Sequence, residues 1–529
     1  MAGFVDVLLR GLILVLGSLV LGGTAWLRFV LRAEPHVKPD GPCVLALTTI
    51  AAAAVGVAAA QTAVLVVSFG AVPSADAVDF FTTTFALTAN ARVVVALSLA
   101  LLARRMARGA AGPVAWLALS LGAAVLVGAS AVLSHAIARV DDRFILLSLD
   151  AAHQLAAGIW VGGLAHLALY AAWRRHHATL RPTQPELGLT AAPVMRRFST
   201  LAFRSMAAII LAGAALTWMY VGEPSALVGT AYGVMILSKV ILLLAALGLA
   251  YANMRAVRRA AGEPGTRLFR FAEVELGLGI TILFAAASLT SLPPAVDVTT
   301  DRASVGEVAA RFVPAAPRLS SPPIDELLRT ADQLMDRQIS RKPIERAWSE
   351  YNHHWAGLFV VTMAALAMLE RVGVRAARHW PLVFLGLATF LFVRNDPRAW
   401  PLGPAGFWES FTLPDVLQHR TFVLLVVAFG LFEWMVRTER LPVRPWAYVF
   451  PLLCAVGGGL LLTHSHAMFN LKDEFLTEVT HAPLGILGAF VGWGRWLELR
   501  LPDAGSWPAW TWRACFLGVG LILLFYREG

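Results

Sequence analysis

Long apolar runs recur from one end of the chain to the other, separated by short polar stretches rich in arginine. A run of roughly 18 or more such residues is long enough to cross a bilayer. By that measure the first half predicts spans over 9–31, 43–69, 83–103, 113–135, 145–173, 200–221, 231–253 and 270–292. The second half predicts 354–372, 380–394, 420–437, 446–464, 479–497 and 509–526. Several are short, 380–394 among them, and need tilt or flanking residues to span. In lipid each segment must satisfy its own backbone hydrogen bonds, so the spans are helices. The expected fold class is all-α: a polytopic integral membrane helical bundle of about 14 transmembrane helices, eight and then six. The first run lacks a small-residue cleavage site and reads as a retained helix.

A polar stretch divides the two sets. Residues 1–298 are expected to form an eight-helix membrane domain, and 346–529 a six-helix C-terminal membrane domain with histidines at its external helix ends. Between them, 299–345 reads as an extracytoplasmic linker, rich in Pro, Ser and Ala at first. Within it "IDELLRTADQLMDRQI" puts Ile324, Leu327, Leu328, Ala331 and Leu334 on one helical face. That predicts one amphipathic helix, lying on the membrane surface or packed on the bundle.

Composition agrees with the pattern. The chain is 58% hydrophobic and 15% charged, where a soluble domain carries about 25% charge. Its net charge of +10 sits in short loops between spans, which points to membrane orientation and not to nucleic acid. One set of alternating loops carries Arg104, Arg105, Arg108, then Arg174, Arg175, Arg196, Arg197, then Arg255, Arg258, Arg259, and further on Arg371, Arg375, Arg437, Arg440, Arg495 and Arg500. That side is expected to be cytoplasmic. Both termini then lie outside, in a bacterial inner membrane. The three cysteines, Cys43, Cys454 and Cys515, form no C-x-x-C, so neither a disulfide framework nor a thiolate site is indicated. There is no P-loop, H-E-x-x-H or G-x-S-x-G, which disfavours a hydrolase or other classical enzyme; a membrane redox role stays open.

The orientation partitions the 13 histidines. His135, His153, His353, His354, His419, His464, His466 and His481 fall near external helix ends, where aligned helices would bring imidazoles to a common depth. Imidazole is the commonest biological metal ligand and suits copper, zinc and haem iron. "THSHAMFN" adds Met468, whose thioether favours Cu(I). Adjacent helical residues diverge by about 100°, so at most one of His353 and His354 points inward. Asp150 shares a helical face with His153 and is placed to hold the second ring nitrogen. Lys239, Glu275, Arg92 and Glu433 are charges within spans, each read as a paired structural charge or a pathway residue. Met219 and Met235 lie towards the external side of their spans, and Trp400 and Trp408 read as interface anchors.

"LDAAHQLAAGIWVGGLAHL" carries His153, Trp160, Gly162 and Gly163, the glycines permitting close helix packing. With "SHA" at 134–136, "RRFSTLAFRSMAAIILAGAALTWMYV", "TAYGVMILSKVILLLAALGLAYANMR" and "VELGLGITILFAAASLTSLPPA", it resembles the copper resistance protein D (CopD) family over roughly 1–298. The resemblance implies copper handling at the inner membrane, often with a periplasmic copper-binding protein, and makes His135 and His153 candidate copper ligands. The second half lies outside that core domain. Two other readings share the histidines: a membrane redox protein holding haem b, and an assembly factor delivering copper to a cytochrome oxidase.

Overall fold

A computed structural model describes residues 2–31, 42–70, 82–108, 112–180, 191–259, 266–331, 343–394, 396–463, 472–501 and 505–528. The described residues form helices, turns and loops without a strand. Twelve of the helices are long and apolar enough to cross a membrane, and two shorter apolar helices, Thr49–Val64 and Val449–Thr463, fall on two further expected spans. The chain is therefore a multi-pass membrane protein, and its surroundings are a lipid bilayer.

The chain divides into two compact units, the first built on Met1–Thr300 and the second on Asp301–Leu461 with Leu471–Gly529. In the first unit the helices are α1 (Ala2–Ala25), α2 (Pro42–Gly70), α3 (Thr84–Ala107), α4 (Pro113–Gly128), α5 (Arg143–Leu180), α6 (Ala191–Val221), α7 (Ala231–Arg259) and α8 (Thr266–Leu289). Local sequence sets their ends. The Thr83 hydroxyl accepts the Ala86 amide at 3.1 Å to cap α3, and Pro113 opens α4, where its missing N–H costs nothing. Gly222, at φ +73°, closes α6 in the left-handed region that glycine enters freely.

Small residues bring α1 and α5 together. A Cβ on Gly162 would collide with the Ser18 carbonyl, and one on Gly22 with the Gly162 backbone. Gly163 faces the Phe198 ring of α6, and Trp160 is buried beside Gly279 of α8. Lipid offers no hydrophobic drive between helices, so this close backbone approach is what dispersion contacts require. A buried core at one end joins Ala136, Tyr220, Tyr232, Met235, Leu289 and Leu292, with Leu216 and Met219 packed against it.

The second unit contains α9 (Val305–Arg311), α10 (Ile324–Ala331), α11 (Pro343–Arg371), α12 (Val383–Arg394), α13 (Pro414–Arg437), α14 (Val449–Thr463), α15 (Lys472–Glu478), α16 (His481–Arg500) and α17 (Trp507–Leu524). Its core is aromatic: Trp380, Phe450, Trp512 and Phe516 are buried together. The short expected span 380–394 gains length from a 3-10 segment, Arg375–Leu382, which carries Pro381. Of the expected amphipathic helix, Ile324–Ala331 is seen, and 332–339 lies outside the described residues. Leu327 and Ile324 pack against Trp348 and Tyr351, so the helix sits on the protein itself.

The Arg437 and Arg513 side chains, buried in the second unit, are paired with carboxylates, while the buried Arg420 donates to the Phe392 and Trp400 carbonyls. Arg437 lies between Glu433 and Glu370, both at 2.6 Å, with its guanidinium 4.7 Å over the Trp380 ring. Glu498 accepts from Arg495, Arg513 and the Trp512 indole. Glu433 is thus ion-paired with Arg437, one turn along the same helix.

Candidate functional site

The first unit gathers polar groups where α5, α6 and α7 meet. Asp142, at φ +58°, turns the chain into α5, so the helix is already regular where it carries Asp150 and His153. Gly213 of α6 leaves room for the His153 ring, since a Cβ there would stand 3.0 Å from Cε1. The His153 Nδ1–H donates to the Ile209 carbonyl at 3.0 Å. A carbonyl can only accept, so Nδ1 carries the proton and Nε2 keeps the lone pair in the neutral ring. Lys239 of α7 and Asp150 both interact electrostatically with His153.

Asp150 does not orient the imidazole, contrary to expectation. Its Oδ1 accepts the Gln154 amide at 3.0 Å, one helical turn along, and a backbone carbonyl holds the ring instead. The reason is local: Gln154 is the i+4 neighbour of Asp150, and Ile209 comes from a facing helix.

His135 sits in the connector between α4 and α5, at the start of the 3-10 turn His135–Ala138, which the Ser134 hydroxyl caps. Its Nε2–H donates to the Leu289 carbonyl at the end of α8, 3.2 Å away, which leaves the lone pair on Nδ1. Tyr232 meets the ring edge-on at 6.3 Å, and Tyr220 meets Tyr232 at 6.1 Å. Arg139 and Asp297, paired at 2.8 Å, close the rim, and Arg139 lies 6.0 Å over the Tyr220 ring. Met219 and Met235 belong to the same apolar core as Tyr232.

His135 lies in the connector before α5, and His153 lies ten residues into that helix. Among the described residues, no three of His, Cys, Asp and Glu converge closely enough to hold an ion.

The second unit's histidines are placed as follows. His354 is buried with both nitrogens engaged: Nδ1 accepts the Arg318 amide at 2.6 Å, and Nε2–H donates to the Tyr526 carbonyl at 2.8 Å. It has no lone pair left for a metal, because the fold uses the whole ring as a pin. His353 points elsewhere, stacked 4.2 Å from the Tyr526 ring with Nδ1 on the Ser349 carbonyl. His419 pairs through Nδ1 with Asp396 at 2.7 Å. His481 is the first residue of α16. His464, His466 and Met468 lie outside the described residues.

The remaining charges separate. Glu275 is buried in α8 with its Oε1 unpartnered among the described residues. Arg92 of α3 is buried and donates to the Ser130 hydroxyl at 2.7 Å. The two carbonyls that fix His135 and His153 carry no signal in the sequence, since any residue supplies a carbonyl.

With this geometry in place, comparison with known proteins adds two findings. Residues 192–289, which run from α6 through α8, match the family described as copper resistance protein D. The copper transport protein CutJ of Bacillus subtilis (strain 168) is 31% identical over 170 residues, covering 32% of this chain and 29% of that protein. The match thus spans less than a third of that relative's length. No solved structure matches the chain.

Proposed function

We propose that this chain, whose residues 192–289 match the copper resistance protein D family, is a copper-handling protein of a bacterial inner membrane, with His135 and His153 as its copper ligands. One observation carries the reading. Each of the two imidazoles has one N–H fixed on a backbone carbonyl, Leu289 or Ile209, and presents the other nitrogen as a lone pair. Metal-bound histidine usually has this arrangement, because the outer hydrogen bond sets the tautomer and raises ligand basicity.

Copper is the cargo here and no catalysis is required. Met219 and Met235 supply thioethers in the core that flanks His135, a donor type that favours Cu(I). With Asp150 on Gln154, the outer support for both rings is main chain, which does not titrate near neutral pH. Lys239 opposes, and Asp150 favours, positive charge at His153. In this reading the ions reach the site from the extracytoplasmic side, with a periplasmic copper-binding protein as donor. Uphill movement draws on a gradient or a partner, since no nucleotide-binding motif is present.

The test is metal analysis with an absorption spectrum on one purified preparation, for the wild type and the His135→Ala/His153→Ala double variant. The expected result is copper in the wild type, its loss in the variant at equal expression, and no Soret band. Equal copper content in the two preparations would end this assignment of ligands. A Soret band with stoichiometric iron would instead support the haem b reading.

A further inference from the structure

Outside the histidine site, the first unit holds a second polar cluster, formed by α1, α2, α3 and the ends of α4 and α8. Asp6 of α1 accepts from Arg10, one turn along, at 2.7 Å, and from the Gln61 amide of α2 at 3.0 Å. Arg10 also donates to the Thr290 hydroxyl at 2.9 Å. Arg92 of α3 feels both Arg10 and Asp6 electrostatically, so it belongs to the same cluster.

Asp6, the carboxylate that Arg92 feels, is already taken by Arg10 and Gln61. Arg92 is 4% exposed, yet its one hydrogen bond among the described residues goes to the neutral Ser130 hydroxyl. Its Nε–H is buried with no acceptor among those residues. A guanidinium stays charged at any physiological pH and cannot relieve its burial by losing a proton. An uncompensated cation within a span costs several kcal/mol. In the second unit the buried Arg513 is paired with a carboxylate and the buried Arg420 has two carbonyl acceptors.

We infer that Arg92 forms the core of a binding site for a single oxyanion of the phosphate or carboxylate class. The planar guanidinium matches two oxygens of such a group, and the unused Nε–H of Arg92 is one of the donors needed. The phosphate of an acidic lipid headgroup and free phosphate present the same chemistry. No imidazole takes part, so this site stands or falls separately from the copper ligands.

The full-length protein in phosphatidylcholine nanodiscs provides the test, read as the thermal unfolding midpoint. In one arm sodium phosphate replaces sodium chloride at fixed ionic strength; in the other phosphatidylglycerol is added to the nanodisc. A saturating anion is expected to raise the wild-type midpoint by roughly 3–6 °C in at least one arm. The arm that responds identifies the source. Arg92→Gln should lose the rise and, without the added anion, unfold no lower than the wild type. If Arg92→Gln does not fold, Asp6→Asn serves instead: removing the competing carboxylate should enlarge the response, while Arg92→Lys keeps only part of it. No wild-type rise in either arm, or an undiminished rise in Arg92→Gln, overturns the site. So does a response unchanged in both Asp6→Asn and Arg92→Lys.

Discussion

His153 on α5 donates its Nδ1–H to the carbonyl of Ile209 on α6, and Gly213, one turn beyond that carbonyl, leaves the space the ring occupies. Ring orientation, tautomer and the exposed lone pair all follow from these neighbours, so they can be disturbed without touching the imidazole.

Gly213→Ala tests that dependence. The added Cβ would stand 3.0 Å from Cε1 and 3.3 Å from Nδ1, so the ring must give way against the hydrogen bond that holds it on the carbonyl. Loss of such outer support lowers metal affinity by about 10- to 100-fold. Copper titration of the purified variant should show that loss with the helical content unchanged. An affinity equal to wild type means the ring's placement does not govern binding.

Gly162→Leu addresses the close approach of α1 and α5. The new side chain must enter space held by the Ser18 carbonyl and Gly22. Overpacking of this kind costs about 1–3 kcal/mol or more, seen as a lower unfolding midpoint in detergent. Gly56→Ala and Gly248→Ala, where nothing lies within 4 Å, should not lower the midpoint.

His354→Ala separates a structural histidine from a ligand. The change strands the Arg318 amide and the Tyr526 carbonyl, which lie 2.6 Å and 2.8 Å from the ring. The expected cost is about 2–3 kcal/mol of stability, with copper content per folded chain unaltered. Copper lost in proportion to His354, at equal folding, would contradict the role assigned to it.

Docking of α9 onto α15 should depend on pH. Hydrogen bonds from Lys472, first, and then from the Ser304 amide and hydroxyl hold the Glu307 carboxyl down to about 2. Its folded value lies below its ordinary one of 4.5. The contribution is therefore complete above about pH 5 and fades as pH falls from there towards 2. Hydrogen exchange over Val305–Arg311 should accelerate across that window. Glu307→Gln should flatten the response; an unchanged pH dependence in that variant would assign it to another group.

Part of this architecture is written locally. The span from Arg143 to Trp173 and the glycines that let α1 approach α5 could be read in order along the chain, because apolar length and small-residue spacing are properties of one segment. The site was legible only as residue types. The partners of His354 lie 36 and 172 residues away, and that of His153 lies 56 away. The one second-sphere contact expected from spacing, Asp150 to His153, gave way to the nearer Gln154.

By itself the sequence determined that this chain is a bundle of membrane-crossing helices and which histidines were eligible for a metal. Those facts rest on burial of apolar length in lipid, a sum taken within each segment. Only the tertiary structure decided that His354 is a pin, that His135 and His153 hang from the Leu289 and Ile209 carbonyls, and that Arg92 bonds to a hydroxyl while Asp6 is taken by Arg10 and Gln61. Hydrogen-bond partners and charge balance are set by which helices meet and at what register, and that information is spread over the whole chain.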